Sequence, residues 1–128
     1  MTNAILLLIV LLVCHYLADF CLTSSAMIKA KADGHTPLPI LFHASIHALL
    51  ISLCLLLWNI SWKLILAMTV LELVSHFLID LAKARLSAQF PRLADQQYKN
   101  HWILYGFDQL LHQLVIIVIW YITICNLK

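Results

Sequence analysis

Charge is scarce in this chain: 11% of its 128 residues are Asp, Glu, Lys or Arg, against 63% hydrophobic. A soluble domain is typically about 45–50% apolar, so a water-exposed globule is excluded. Glycine (two) and proline (three) are also rare, which leaves little material for turns. A net charge of +2 with no basic stripe excludes a nucleic-acid partner. The four cysteines, Cys14, Cys21, Cys54 and Cys125, lack CxxC spacing and lie in or beside apolar runs. They read as small hydrophobes rather than as disulfide or thiolate chemistry. The amino-terminal run has no basic flank and passes straight into polar residues, so a retained spanning helix is expected, not a cleaved leader.

What is present is long hydrophobic segments, about 4–22, 39–58, 62–82 and 101–125, each near the ~20 residues that cross a bilayer. Backbone in lipid must satisfy its own hydrogen bonds, so each segment should be a helix, and the fold all-α in a single transmembrane domain, 1–128. The short link from Trp58 to Lys63 makes the second and third helices antiparallel neighbours. The two other connections are longer and basic, with Lys29 and Lys31 in one and Lys83, Arg85, Arg92 and Lys99 in the other. By the positive-inside rule these loops are cytoplasmic and both termini face outward. Each loop is expected to begin with a short interfacial helix, Ser24–Asp33 ahead of Gly34 and Ala84–Phe90 ahead of Pro91.

A motif occurs twice. Val13-Cys14-His15-Tyr16-Leu17-Ala18-Asp19 aligns with Val74-Ser75-His76-Phe77-Leu78-Ile79-Asp80. Further on, Phe42-His43 through His47 aligns with Phe107-Asp108 through His112. Four apolar segments therefore each carry one ionisable pair spaced i, i+4: His15/Asp19, His43/His47, His76/Asp80 and Asp108/His112. On a helix that spacing puts both side chains on one face. The expected architecture is two parallel helix-hairpin repeats, about 4–58 and 62–125, related by a pseudo-twofold axis along the membrane normal. At 1.5 Å per residue all four pairs fall roughly 5–15 Å below the cytoplasmic surface.

Ionisable residues inside a span are costly and mark function by default. Five imidazoles and three carboxylates suit zinc, with iron or manganese as alternatives, and the lack of thiolates argues against soft-metal storage. Eight candidate ligands, His15, Asp19, His43, His47, His76, Asp80, Asp108 and His112, serve either two ions or one ion with hydrogen-bonded Asp–His partners. The repeat fails at Asp108, which replaces a histidine and suits a bridging carboxylate. It fails again at Glu72, one turn from His76, where the first half has Leu11. Glu72 reads as a general base, a ligand or a hydrogen-bond partner of His76. Lys83 and Arg85 follow Asp80 and read either as anchors for an anionic substrate or as ordinary snorkelling residues. Gln109, Gln113 and Ser45 neighbour the pairs and either orient them or join helices. His35 and His101 lie outside the pairs and read as surface residues.

The series HxxxD, HxxxH, HxxxD-xxK and DQxxH resembles a family of small bacterial inner-membrane proteins catalogued as a domain of unknown function, family 3307. It does so through His15/Asp19, His43/His47, His76/Asp80 with Lys83, and Asp108-Gln109 with His112. The resemblance implies a bacterial inner-membrane location and brings no activity. More loosely, the cluster is similar to those of membrane-bound metal-dependent hydrolases. The HxxxH also resembles that of membrane di-iron hydroxylases, whose further histidine boxes this chain lacks.

The reading these residues support first is a membrane-embedded metal-dependent hydrolase with catalytic Glu72 and Asp108. Its substrate would be a lipid or another molecule that partitions into the cytoplasmic leaflet. A proton or divalent-metal transporter, working as a homo-oligomer, is the second reading. A haem protein for electron transfer is the third, and a polar network that only locks four helices together is the simplest.

Overall fold

The computed structural model describes residues 2–127, and among them there are helices and no strands. Helix α1, Thr2–Tyr16, runs on through a π-helical turn, Leu17–Cys21. The turn closes with the Leu22 amide donating to the Leu17 carbonyl. Thr23 then ends it, its hydroxyl donating to the Asp19 carbonyl at 2.7 Å.

Helix α2, Ser25–Asp33, is capped at both ends. The Ser24 hydroxyl accepts from the Met27 amide, and Gly34 adopts φ 68°. Helix α3, Pro37–Leu57, opens on proline, whose missing N–H costs nothing at that position. A tight turn through Asn59, at φ 55°, joins it to helix α4, Trp62–Gln89. Short helix α5, Pro91–Ala94, leads to helix α6, Lys99–Asn126.

Four helices, Asn3–Cys21, α3, α4 and α6, are long and apolar enough to cross a membrane. Their bounds lie close to the expected segments except in the third. Ala84–Phe90 is not a separate interfacial helix. It is the continuation of α4, because Leu81 through Gln89 contains good helix formers and no breaker before Pro91. At 28 residues α4 is about 42 Å long, so its last turns outrun a bilayer core of about 30 Å.

In the bundle, α1 packs between α3 and α6, and α4 packs between the same two helices. Helix α2 lies across α3 and α4 at the loop end. The interior is layered. Leu7, Leu11, Ile51, Leu55, Met68, Ile116 and Ile119 fill the half away from α2. Ala30, Ile40 and Ala84, with Phe77 and Leu81, close the loop end. Between these layers lies the polar cluster. The Trp120 indole donates to the Ala4 carbonyl at 2.6 Å and ties α6 to α1, and Ser52 bonds Thr69 at 2.6 Å between α3 and α4. The outer face is a coat of exposed Leu, Ile, Val and Phe, such as Leu49, Leu56, Val70, Leu78, Phe107 and Leu114. Such a coat suits lipid rather than water. The two hairpins differ locally, since the π turn after His15 has no counterpart after His76, where α4 stays regular.

Candidate metal centre

Every helix that crosses the bundle delivers its ionisable pair inward. His15, His43, His47, Glu72, His76, Asp80, Asp108 and His112 are all buried, and the Asp19 side chain is 9% exposed. The i, i+4 spacing is the cause, since it stacks both members of a pair on the one face of each helix that meets its neighbours. Asp19 sits inside the π turn, whose extra residue per turn re-aims the side chains around it.

The five imidazoles form one contiguous cluster of tilted and edge-on rings. His47 and His76 lie 3.7 Å apart by ring centroid and His76 and His112 4.1 Å. His15 and His43 flank His47 at 4.8 and 4.7 Å. Carboxylates thread between them. Asp19 Oδ1 is 3.0 Å from His43 Nε2 and 3.4 Å from His47 Nε2, while its Oδ2 is 3.3 Å from His15 Nε2. Glu72 Oε1 is 3.2 Å from His76 Nδ1 and 4.0 Å from His47 Nδ1. His112 Nε2 is 3.5 Å from both Asp80 Oδ1 and Asp108 Oδ1.

Three sets of residues each offer ligand atoms within 4.8 Å of one another: His15, His47, Glu72 and His76; Asp19, His43, His47 and His76; and His76, Asp80 and His112. His76 belongs to all three. The donor chemistry, imidazole with carboxylate, fits zinc, iron or manganese alike. Buried ligand atoms without a hydrogen-bond partner are not confined to one set: Glu72 Oε2 and His15 Nδ1 belong to the first, and His76 Nε2 to all three. A buried polar atom left unpaired is costly, and a cation bound through His76 with His15 and Glu72 would remove that cost.

Asp108 is brought to the cluster but falls in none of the three sets. Its Oδ2 is bonded by Lys83 Nζ at 2.7 Å. Lys83 itself lies over the Tyr105 ring at 4.7 Å. Arg85 is exposed on α4, apart from the cluster, where it lines a surface hollow with Gly34 and His35. Gln109 lies between Asp19 and Asp108, its amide 3.4 Å from each. Ser45 is turned to its own helix, donating to the Leu41 carbonyl, and Gln113 is exposed. His35 is exposed, and His101 bonds the Leu93 carbonyl away from the cluster. The four cysteines are free.

Sequence reasoning missed Lys31 and Thr23. Lys31, on α2, places Nζ 2.8 Å from Asp80 Oδ2 and 3.8 Å from Asp19 Oδ1. The Thr23 hydroxyl lies 3.5 Å from His43 Nδ1. The available signal for Lys31 was the capped helix itself. Its small buried residue Ala30 lets it lie close on the bundle, and Lys31 falls beside it.

Four membrane-length helices around a buried cluster of histidine and carboxylate side chains define an α-helical membrane protein with a candidate metal centre. Over residues 7–128 the chain matches the family described as Protein of unknown function (DUF3307), and it belongs to that family. No curated protein and no solved structure matches it.

Proposed function

We propose that this protein is a membrane-embedded metal-dependent hydrolase acting on a lipid or another membrane-partitioned amphiphile. The observation that carries the reading is the convergence of His15, His47, Glu72 and His76 from three helices, with Glu72 Oε2 and His15 Nδ1 left unpaired. Zinc is the ion proposed, because the reaction proposed needs a Lewis acid that activates water near neutral pH and no redox change. Glu72 is the group placed to hold or take a proton there, and Asp80 and Asp108 orient His112 from either side. The basic loops favour the cytoplasmic leaflet for this end of the bundle, with both termini outside, and the family resemblance suggests a bacterial inner membrane. The two hairpins are then parallel repeats that place their ligand pairs at one depth.

Transport and haem binding are less well supported. The layer of Leu7, Leu11, Ile51, Leu55, Ile116 and Ile119 closes the other half of the bundle, so a conducting path would need several copies of the chain. Imidazoles packed 3.7–5.7 Å apart leave no slot for a porphyrin. The test is metal analysis of purified protein, followed by hydrolysis assays on phosphoester and carboxylic-ester amphiphiles. Stoichiometric zinc, lost together with activity in a His47→Ala/His76→Ala variant, is the expected result. Protein that carries no transition metal would sink the reading.

A further inference from the structure

The charge of the cluster does not balance. Asp19, Glu72, Asp80 and Asp108 supply four carboxylates, and only two ammonium groups, Lys31 and Lys83, reach them. Two of the four carboxylates therefore have no ammonium of their own, in surroundings where uncompensated charge is expensive. One divalent ion answers them.

The two ammoniums also differ in place. Lys83 is committed to Asp108, outside all three ligand sets. Lys31 stands among atoms of the second and third sets. Its Nζ faces Asp80 Oδ2 and Asp19 Oδ1, and His43 Nε2 spans the same two oxygens at 3.8 and 3.0 Å. That is where a second cation would sit. The helix that carries Lys31 is fixed by construction. Ser24 and Gly34 cap it, and Ala30 is buried against Ile40 and Ala84. At Gly34 the backbone comes so near α4 that an added Cβ would lie 2.6 Å from the Ala84 carbonyl oxygen.

Building on the metal-centre reading above, we propose that the cluster holds one divalent ion, on His15, His47, Glu72 and His76. The Lys31 ammonium is a tethered second cation at the Asp19/Asp80 end. Lys31 thus takes the place of a second metal and fixes the stoichiometry at one.

The test is the number of zinc ions retained per chain after loading with zinc chloride and desalting. The wild type and Lys31→Arg should retain one. Lys31→Met opens the Asp19/Asp80 end and should retain two, while Lys29→Met, on the exposed side of the same helix, stays at one. Two zinc ions in the wild type, or one in folded Lys31→Met, would overturn the role of Lys31 and leave the metal centre standing. A wild type without zinc removes the metal centre itself. If Lys31→Met does not fold, Lys31→Met/Asp80→Asn keeps the total charge. It should retain one zinc ion, and either two or none would count against the proposal.

Discussion

At the scale of single residues, the most informative atoms are those with nothing to bond. Glu72 Oε2 is buried without a partner while Oε1 contacts His76. A carboxylate held this way is a ligand or base in waiting, and Glu72→Ala should weaken zinc binding by about 100-fold or more, the upper range for residues around a metal. Competition with a chromophoric chelator measures this directly. Asp108 also has an unpartnered oxygen, Oδ1, but its Oδ2 is committed to Lys83 by a short bond and its place lies outside the ligand sets. Asp108→Ala leaves Lys83 without its anion. Breaking a fully buried pair costs about 3–5 kcal/mol. Lys83 is 23% exposed and can snorkel, so about 1–3 kcal/mol is expected here. Asp108→Ala/Lys83→Met should recover most of the loss in a thermal melt, with zinc binding nearly intact.

At the scale of elements, α2 is the part whose position depends most on one residue. Gly34 sits at φ 68°, which costs a side-chain-bearing residue roughly 1–2 kcal/mol. Its neighbour is the Ala84 backbone rather than a side chain that could move aside. Gly34→Ala should therefore lift α2 from α4 and draw Lys31 away from Asp80. Faster amide exchange across residues 25–33, with α3 and α6 unchanged, is the expected readout. Ser24→Ala, which removes the other cap, should cost about 1 kcal/mol and give a weaker version of the same pattern.

At the scale of the whole molecule, the cluster is a polar layer between two apolar ones, and its stability should depend on its cation. Zinc at about 100 times its Kd should stabilise the folded state by about 2.7 kcal/mol, and chelation should reverse this. A melt in detergent with and without chelator checks it, and His47→Ala/His76→Ala should abolish the difference. Much of this layer was legible in the sequence. Polar residues inside apolar spans stand out, and i, i+4 spacing allows one inward face, so the eight paired side chains and Glu72 are all found at the cluster. The capped helix after Ser24 was signalled more faintly, by Ser24 and Gly34 alone, and the same kind of signal misled at Ala84–Phe90. Lys31 was not legible, because a lysine between membrane segments reads as a solvated loop charge until α2 is seen lying across the bundle. The run of α4 beyond Asp80 was hidden for a related reason. The hydropathy pattern ends where lipid ends, but a helix ends only where its hydrogen bonds do, at Pro91.

The π turn at Leu17–Cys21 makes α1 unusually tolerant of losing a residue. It holds one residue more than an α-helix of the same span requires. Deleting Leu17 or Ala18 would let the backbone close as an ordinary helix, with no gap in its ladder. Because the turn already absorbs the extra residue, the flanking register would hold, while the His15–Asp19 spacing would shorten from i, i+4 to i, i+3 and re-aim the Asp19 carboxylate. On the metal-centre reading, a shortened chain of this kind would keep its four-helix scaffold and change one corner of the cluster.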